Sequence, residues 1–189
     1  MEIINPEKLL LKVAPILEAL NISYFVTGGF AVSVWGRPRA TFDIDIVVKL
    51  IEPKVDSLAR ALRKISEAGY ISEYAAREAI ERKSEFNFID PETGLKVDFW
   101  ITKGDEKSTM EFKRRITKKI NNQEIYFISP EDLILSKLEW YKQTESSRHL
   151  EDIESTLKIS KVDVKYIKKW AEKQSTLKIF ENLLNKASL

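Results

Sequence analysis

Two residue types that build many active sites are scarce in this chain. Its 189 residues include no cysteine and a single histidine, His149. Without cysteine, disulfides, thiolate nucleophiles and sulfur-ligated zinc are excluded, and one histidine does not suffice for a histidine-based metal cluster or catalytic triad. Any metal must therefore be bound by carboxylates, and oxygen ligands of that kind favour Mg²⁺ or Mn²⁺.

Glycine and proline are also sparse, at six residues each, and no apolar run reaches the ~18 residues that are needed to cross a bilayer. Hydrophobic residues make up 43% of the chain and charged residues 32%, as in ordinary well-ordered proteins. Glu2 and Glu7 stand where a secretory signal would be basic and then apolar. We therefore predict a cytoplasmic protein with no membrane segment.

The net charge is only +2, but it is unevenly distributed. Residues 1–101 hold 13 Lys and Arg against 15 Asp and Glu, whereas residues 102–189 hold 18 against 14. Within the second part, the run KRRITKK at 113–119 places five cations in seven residues. Such a run either meets an RNA or nucleotide phosphate or forms a solvated edge strand or helix face, and short basic runs favour the second interpretation.

Hydrophobic periodicity and turn residues predict a mixed sheet in the first two thirds of the chain and a helical tail. The predicted strands lie at 24–26, 42–48, 85–89, 95–101 and 124–128, and the predicted helices at 6–20, 30–35, 54–68 and 71–83, with about four more after Ser129. The sequence Asp-Pro-Glu-Thr-Gly at 90–94 indicates a hairpin between two of the strands. We predict an α+β fold with a core at 1–128 and a C-terminal helical region at 129–189 packed on it.

The strand FDIDIVV at 42–48 carries two acids in an alternating pattern. Asp43 and Asp45 share one face, about 7 Å apart, while Ile44 and Ile46 share the other. Repulsion between the two carboxylates would be relieved by a divalent cation. The alternative is an amphipathic edge strand with a solvated acidic face, because an Asp-x-Asp motif alone is a weak signal.

Two further features surround this strand. Gly28 and Gly29 lie between a buried strand and a helix start, where backbone N–H groups can face phosphate oxygens, although a simple turn would use the same residues. Asp98 lies at the centre of the strand LKVDFWI and shares a face with Lys96 and Trp100. If this strand pairs beside FDIDIVV, Asp98 reaches the same metal.

The stretch GGFAVSVWGRPRATFDIDIVV resembles the signature of the polymerase-β-like nucleotidyltransferases, a glycine turn followed after a gap by alternating acids. The resemblance covers about residues 20–101. It implies the nucleotidyltransferase fold, a small mixed sheet flanked by helices. It further implies that Asp43, Asp45 and Asp98 bind Mg²⁺ (or Mn²⁺) and the triphosphate, and that Gly28 and Gly29 hold the phosphates.

One departure concerns the turn, because many family members have Gly-Ser where this chain has Gly28-Gly29. Ser33, one helical turn later, is a candidate substitute in nucleotide binding. Arg39 and Thr41 precede the acidic strand as in a subset of the family, and both are nucleotide-binding candidates. Arg39 pairs either with an acid or with the nucleotide.

The C-terminal part resembles the closing motif of the AbiEii-class nucleotidyltransferase-like toxins and their uncharacterised relatives. Ser129, Lys137, Arg148 and Asp152 carry this resemblance. Lys137 falls within the apolar arc of its helix, so it either meets a phosphate, as a catalytic lysine, or pairs with a structural carboxylate such as Asp152. Asp152 lies off the apolar stripe of its own helix, free to face a cleft or water, and is a nucleotide-binding candidate.

Together these features predict a metal-dependent nucleotidyltransferase that moves a nucleoside monophosphate from a nucleoside triphosphate to an acceptor hydroxyl and releases pyrophosphate. The acceptor is an RNA 3′ end, a protein hydroxyl or a small molecule. One alternative is a toxin that modifies RNA or protein and has an antitoxin partner. Another is a degenerate module that binds nucleotide or protein without catalysis.

Overall fold

A computed structural model describes residues 6–66 and 68–187 of the chain. The strands are β1 (Tyr24–Thr27), β2 (Asp43–Val48), β3 (Tyr70–Ile71), β4 (Glu85–Asp90), β5 (Leu95–Ile101), β6 (Ile116–Ile120) and β7 (Gln123–Phe127). The helices are α1 (Pro6–Ala19), α2 (Gly28–Trp35), α3 (Val55–Arg63), α4 (Glu73–Arg82), α5 (Glu106–Arg114), α6 (Pro130–Thr144), α7 (Ser147–Ile159), α8 (Val164–Lys173) and α9 (Leu177–Ala187). A short 3₁₀ turn at Glu52–Lys54 precedes α3.

In the described residues the strands form one mixed sheet in the order β3-β4-β5-β2-β1-β7-β6. The pairs β2–β5 and β1–β7 are parallel, and the other pairs are antiparallel. The predicted hairpin is confirmed by β4 and β5, which pair from Glu85 with Trp100 to Asp90 with Leu95. A mixed sheet flanked by helices confirms the α+β fold class.

The alternation of β2 places its apolar and acidic residues on opposite faces. Ile44, Ile46 and Val48 are fully buried, whereas Asp43 is exposed and Asp45 partly exposed. Helix α1 contacts both β2 and α3. One face of the sheet is therefore fixed in the core by apolar burial, which leaves the acids of the other face for chemistry.

Two predicted helices end or begin differently in the structure. Helix α3 stops at Arg63, and the chain returns to the sheet as the short strand β3, in which Ile71 pairs with Phe88. Ser72 then caps α4 by accepting a hydrogen bond from the Ala75 backbone. The predicted helices at 54–68 and 71–83 are thus shortened because burying Ile71 beside Phe88 requires an extended backbone.

The basic run at 113–119 forms the end of α5 and most of the edge strand β6. Lys118 and Lys119 are exposed on β6, and the guanidinium of Arg115 lies 4.5 Å from the centre of the Tyr126 ring. This position matches the solvated edge strand that the sequence favours. Lysine on an edge strand opposes pairing with other chains.

Internal contacts divide the chain into two units. The first consists of Met1–Phe30 and Ala40–Phe127 and contains the sheet, and the second consists of Ala31–Arg39 and Ile128–Leu189. In the second unit Ser129 caps α6 by accepting a hydrogen bond from the Asp132 backbone, with Pro130 at the first helical position. The proposed boundary between residues 128 and 129 stays a prediction. Across the described ranges, none of the helices has the length and apolar character needed to cross a membrane.

Candidate active site

The residues predicted for the site fall into two groups, one in each unit. The first unit holds Gly28, Gly29, Thr41, Asp43, Asp45 and Asp98, and the second holds Ser33, Arg39, Lys137 and Asp152. Helix α2 starts with the two glycines in the first unit and continues with Ser33 in the second. Each group is held together by contacts within its own unit.

The three aspartates of the first group lie on one face of two adjacent parallel strands. Asp45 of β2 lies directly beside Asp98 of β5, and Asp43 lies beside Lys96. Neighbouring strands are about 4.8 Å apart, and paired residues of parallel strands project to the same side. Asp98 is 8% exposed. The pairing that the sequence required, LKVDFWI beside FDIDIVV, is therefore present.

Gly28 packs directly against the Asp45 carboxylate. Its φ of +63° is in the left-handed region, and a Cβ added there would lie 1.8 Å from Asp45 Oδ2. Trp100 Nε1 donates a hydrogen bond of 3.3 Å to Asp45 Oδ1. Glycine is thus required at this position both for its backbone angle and for the space that Asp45 occupies.

Thr41 and Gly29 support the same region. The Thr41 hydroxyl donates to the Asp43 carbonyl at 3.1 Å, just before β2. Gly29 is the second residue of α2, directly after the turn at Gly28. The Thr41 hydrogen bond thus fixes the start of β2, which bears the predicted aspartates.

Sequence reasoning assigned no role to Lys96 or Glu85, which complete the acidic face. Lys96 Nζ lies 2.8 Å from Asp98 Oδ2, and this hydrogen bond raises the pKa of Lys96, with added effects from the charges of Asp98, Asp43 and Glu85. Burial raises the pKa of Glu85, and the charges of Asp98 and Asp45 add to it. The signal for Lys96 was its place two residues before Asp98, since alternation puts both on one face.

The donor chemistry of this face fits a hard divalent cation. Asp43, Asp45 and Asp98 offer carboxylate oxygens from adjacent strands, and Gly28 leaves the Asp45 oxygens free of a neighbouring Cβ. Within residues 6–66 and 68–187, no three His, Asp or Glu side chains are grouped as they would be around a metal ion. The Lys96 ammonium occupies one oxygen of Asp98.

In the second unit a buried carboxylate is held by two cations. Asp152, 4% exposed, accepts two hydrogen bonds from Arg39, at 3.0 Å from Nε and 3.1 Å from Nη2. Lys137 Nζ lies 2.9 Å from Asp152 Oδ2 and is itself buried. The structure thus brings Arg39, Lys137 and Asp152 together, and their side chains carry one net positive charge.

The electrostatics of this cluster favour an ionised Asp152. Burial alone would raise the pKa of its carboxyl, but the hydrogen bonds from Arg39 and the charge of Lys137 outweigh that effect and lower the pKa. Arg39 pairs with an acid, one of the two outcomes left open by the sequence. Asp152 is buried, so the expectation that it faces a cleft or water is wrong. The expectation came from the position of Asp152 off the apolar stripe of its helix. Pairing with two cations stabilises the carboxylate in a buried position that this pattern does not reveal.

Ser33 acts within the same unit on the backbone of Arg39. Its hydroxyl donates to the Arg39 carbonyl at 3.2 Å, and Trp35 Nε1 donates to the Ile128 carbonyl at 2.8 Å. The Ser160 hydroxyl donates to the Trp35 carbonyl at 2.6 Å. These bonds fix the segment from which Arg39 reaches Asp152.

His149 lies beside the same cluster. Its ring stacks on Trp140 with centroids 6.4 Å apart, and its buried Nδ1 has no hydrogen-bond partner among the residues that the structure describes. Burial and the charge of Lys137 lower the pKa of His149. Both effects favour the neutral imidazole, against the opposing charge of Asp152. Trp140 itself is 41% exposed.

Solved structures of similar fold include several nucleotidyltransferases. A nucleotidyltransferase-like antigenic protein from Paracoccidioides brasiliensis is 22% identical with a TM-score of 0.60, over 95% of this chain and 87% of that one. ANT(2″)-Ia in complex with adenylyl-2″-tobramycin is 12% identical with a TM-score of 0.61, over 89% and 96%. The lincosamide adenylyltransferase LnuA bound to lincomycin is 17% identical with a TM-score of 0.56, over 82% and 98%. These likenesses confirm the nucleotidyltransferase fold.

Sequence comparison gives the family. No match was found among curated proteins. One family profile, described as "Nucleotidyltransferase of unknown function (DUF6036)", matches residues 7–187 and so spans nearly the whole chain. The chain therefore belongs to this family of nucleotidyltransferases.

Proposed function

We propose that the protein transfers a nucleoside monophosphate from a nucleoside triphosphate to an acceptor hydroxyl, and that Asp43, Asp45 and Asp98 hold Mg²⁺ (or Mn²⁺). One observation carries this proposal. Asp45 and Asp98 lie side by side on parallel strands, with Gly28 packed against the Asp45 carboxylate. Gly28 supplies both the left-handed backbone angle at the start of α2 and the space that the Asp45 carboxylate occupies.

The proposed reaction is an in-line displacement at the α-phosphorus. The acceptor oxygen forms a bond to phosphorus while the bond to pyrophosphate breaks, and Asp98 accepts the proton of the acceptor hydroxyl. A bound divalent cation would neutralise part of the negative charge on the phosphates. Asp43 and Asp45 contribute oxygens to the cation, and Trp100 orients the carboxylate of Asp45.

The glycine turn is proposed to bind phosphate oxygens. Gly28 and Gly29 are the first residues of α2, and the backbone N–H groups at a helix start attract anions. Ser33 and Thr41, predicted to contact the nucleotide, bond to backbone carbonyls in the structure. We keep their nucleotide contacts as predictions.

The nucleotide-binding roles of Arg39, Lys137 and Asp152 stay predictions from the sequence, and the contacts within this group support an anion site of its own. Arg39 and Lys137 share the single carboxylate of Asp152, so these three side chains carry one net positive charge. A bound anion would neutralise that charge. Asp152 orients both cations.

The nature of the acceptor follows from none of these contacts. Two proteins of similar fold bind an adenylylated antibiotic and an antibiotic in their solved structures, which makes a small-molecule hydroxyl one acceptor class to test beside RNA and protein. The closer kinship to the AbiEii-class toxins, the antitoxin partner and the cytoplasmic location stay predictions from the sequence.

The test is to incubate the protein with each α-labelled nucleoside triphosphate, Mg²⁺ and total cell extract, and to follow label into RNA, protein and small molecules. Asp45→Asn should abolish the transfer, whereas Asp56→Asn, a change at an exposed acid of α3 that pairs with Arg77, should leave it intact. Full transfer by Asp45→Asn would refute the site. Failure of the wild-type protein to bind nucleotide with Mg²⁺ in calorimetry would instead support the degenerate module.

A further inference from the structure

The acidic face of the sheet contains its own cation. Among the described residues that β2, β4 and β5 place on this face, four are acids (Asp43, Asp45, Glu85 and Asp98), and Lys96 is the cation. Lys96 Nζ is 2.8 Å from Asp98 Oδ2, and the Lys96 backbone lies beside Asp43. The lysine is thus placed between two of the carboxylates that are proposed to bind metal.

We propose that Lys96 is an internal counter-cation of this face, which competes with the divalent cation for Asp98. The proposal rests on the proposed function, because it assumes that Asp98 is a metal ligand. The ammonium group and a divalent cation would both draw on the Asp98 carboxylate, and two cations held at one carboxylate would repel each other. Lys96 would therefore have to loosen its contact with Asp98 for a divalent cation to be held there.

The exposures of the two side chains allow the ammonium of Lys96 to be replaced by a divalent cation at Asp98. The Asp98 side chain is 12% exposed and the Lys96 side chain 37% exposed, so the carboxylate is held while the ammonium is at the rim. A lysine has a flexible four-carbon stem and can reach water without a backbone movement. Lys96 therefore acts as a positioning residue that stabilises the acids without metal and sets the affinity for metal.

An ordinary surface ion pair would have little effect on the stability of the protein or on its affinity for a metal ion. Two observations separate Lys96 from that case. Its partner Asp98 is largely buried, and a neighbouring carboxylate, Asp45, lies directly beside that partner. Removing the ammonium leaves these acids to repel one another, so they should accept a divalent cation more readily.

The experiment measures Mn²⁺ binding without nucleotide, by electron paramagnetic resonance, in the wild-type protein and in Lys96→Met, Lys96→Arg and Lys119→Met. Lys119 is an exposed lysine on β6, four strand positions from β5 and so roughly 19 Å away. Its replacement makes the same change in net charge beyond the range of unscreened interaction. It is the matched control.

Lys96→Met should bind Mn²⁺ about tenfold more tightly than the wild-type protein. Lys96→Arg and Lys119→Met should stay within about twofold of it. In metal-free buffer Lys96→Met should also melt at a lower temperature than Lys119→Met, and Mn²⁺ should reverse the difference.

If Lys96→Met and the wild-type protein bind Mn²⁺ equally, while Asp45→Asn binds it weakly, the counter-cation role is refuted and the metal site stands. If neither the wild-type protein nor Lys96→Met binds Mn²⁺, the metal site itself is refuted and the inference with it. A gain in Lys119→Met as large as in Lys96→Met would also overturn the inference, because it would reduce the effect to net charge.

Discussion

Replacing Gly28 by alanine would place a methyl group where the Asp45 carboxylate now lies. The added Cβ falls 1.8 Å from Oδ2, 2.5 Å from Cγ and 2.8 Å from Cβ of Asp45, whereas ordinary contacts begin at 3.4 Å. The oxygen must therefore move by about 1.6 Å, the difference between these distances. We expect Gly28→Ala to displace a proposed metal ligand directly.

The magnitude follows from two costs. A residue other than glycine at φ +63° loses about 1–2 kcal/mol in the left-handed region. Moving Asp45 away from Trp100 adds about 1–3 kcal/mol of packing strain. Because a catalytic group displaced by 1 Å costs about a hundredfold in rate, transfer by Gly28→Ala should fall by at least that factor.

Gly94→Ala is the matched control. Gly94 has a φ of +71°, but no atom of the described part of the chain lies within 4 Å of an added Cβ, so its replacement carries the backbone cost without the collision. Urea unfolding should show Gly28→Ala about 1–3 kcal/mol less stable than Gly94→Ala, and only the former should lose nucleotidyl transfer. Equal stability of the two variants, together with wild-type transfer by Gly28→Ala, would refute the role of this contact.

Three further predictions concern the two groups of site residues. Lys137→Met leaves the buried Asp152 with Arg39 alone and should lower the free energy of unfolding by about 2–4 kcal/mol in urea titrations; a change below about 0.5 kcal/mol would show that the pair is not structural. Because the folded pKa of Asp152 is depressed, its stabilising effect is present above the unfolded pKa of about 3.9 and is lost as pH falls through the folded value. The wild-type protein should thus exceed Asp152→Asn in stability at pH 7 and approach it in acid, and a gap that persists below both pKa values would contradict the ion pair. Trp100→Phe removes the hydrogen bond to Asp45 and should weaken Mn²⁺ binding about threefold to tenfold in calorimetry, with unfolding changed by less than about 1.5 kcal/mol; unchanged Mn²⁺ affinity would exclude this orienting role.

Local patterns in the sequence predicted much of the architecture. The turn at 90–94, the cap at Ser129 and the alternation around Asp45 and Asp98 each depend on residues a few positions apart. Such features follow from backbone sterics and side-chain direction, which every segment carries with it. Alternation is such a local property, and it alone places Asp43 and Asp45 on one face of β2 and Asp98 on one face of β5. The three aspartates can therefore be named as candidate ligands from the sequence.

The tertiary structure decided which partners these residues have. Arg39 meets Asp152 across 113 positions of the chain, and Asp45 meets Gly28 across helix α2 and the segment that follows it. Neither pairing leaves a local pattern, because its free energy comes from burial and charge that exist only once distant segments pack. The early end of α3 has the same origin, since the chain is drawn back to pair Ile71 with Phe88.

The sequence by itself thus determined the kinds of chemistry available, carboxylates on a strand and glycines at a helix start, because composition and alternation are local properties. Only the tertiary structure decided that Asp45 lies beside Asp98 and that Arg39 and Lys137 share the carboxylate of Asp152. The physical reason is that a buried ionised side chain is stabilised by the nearest group of opposite charge. The packing of the whole chain determines which group that is.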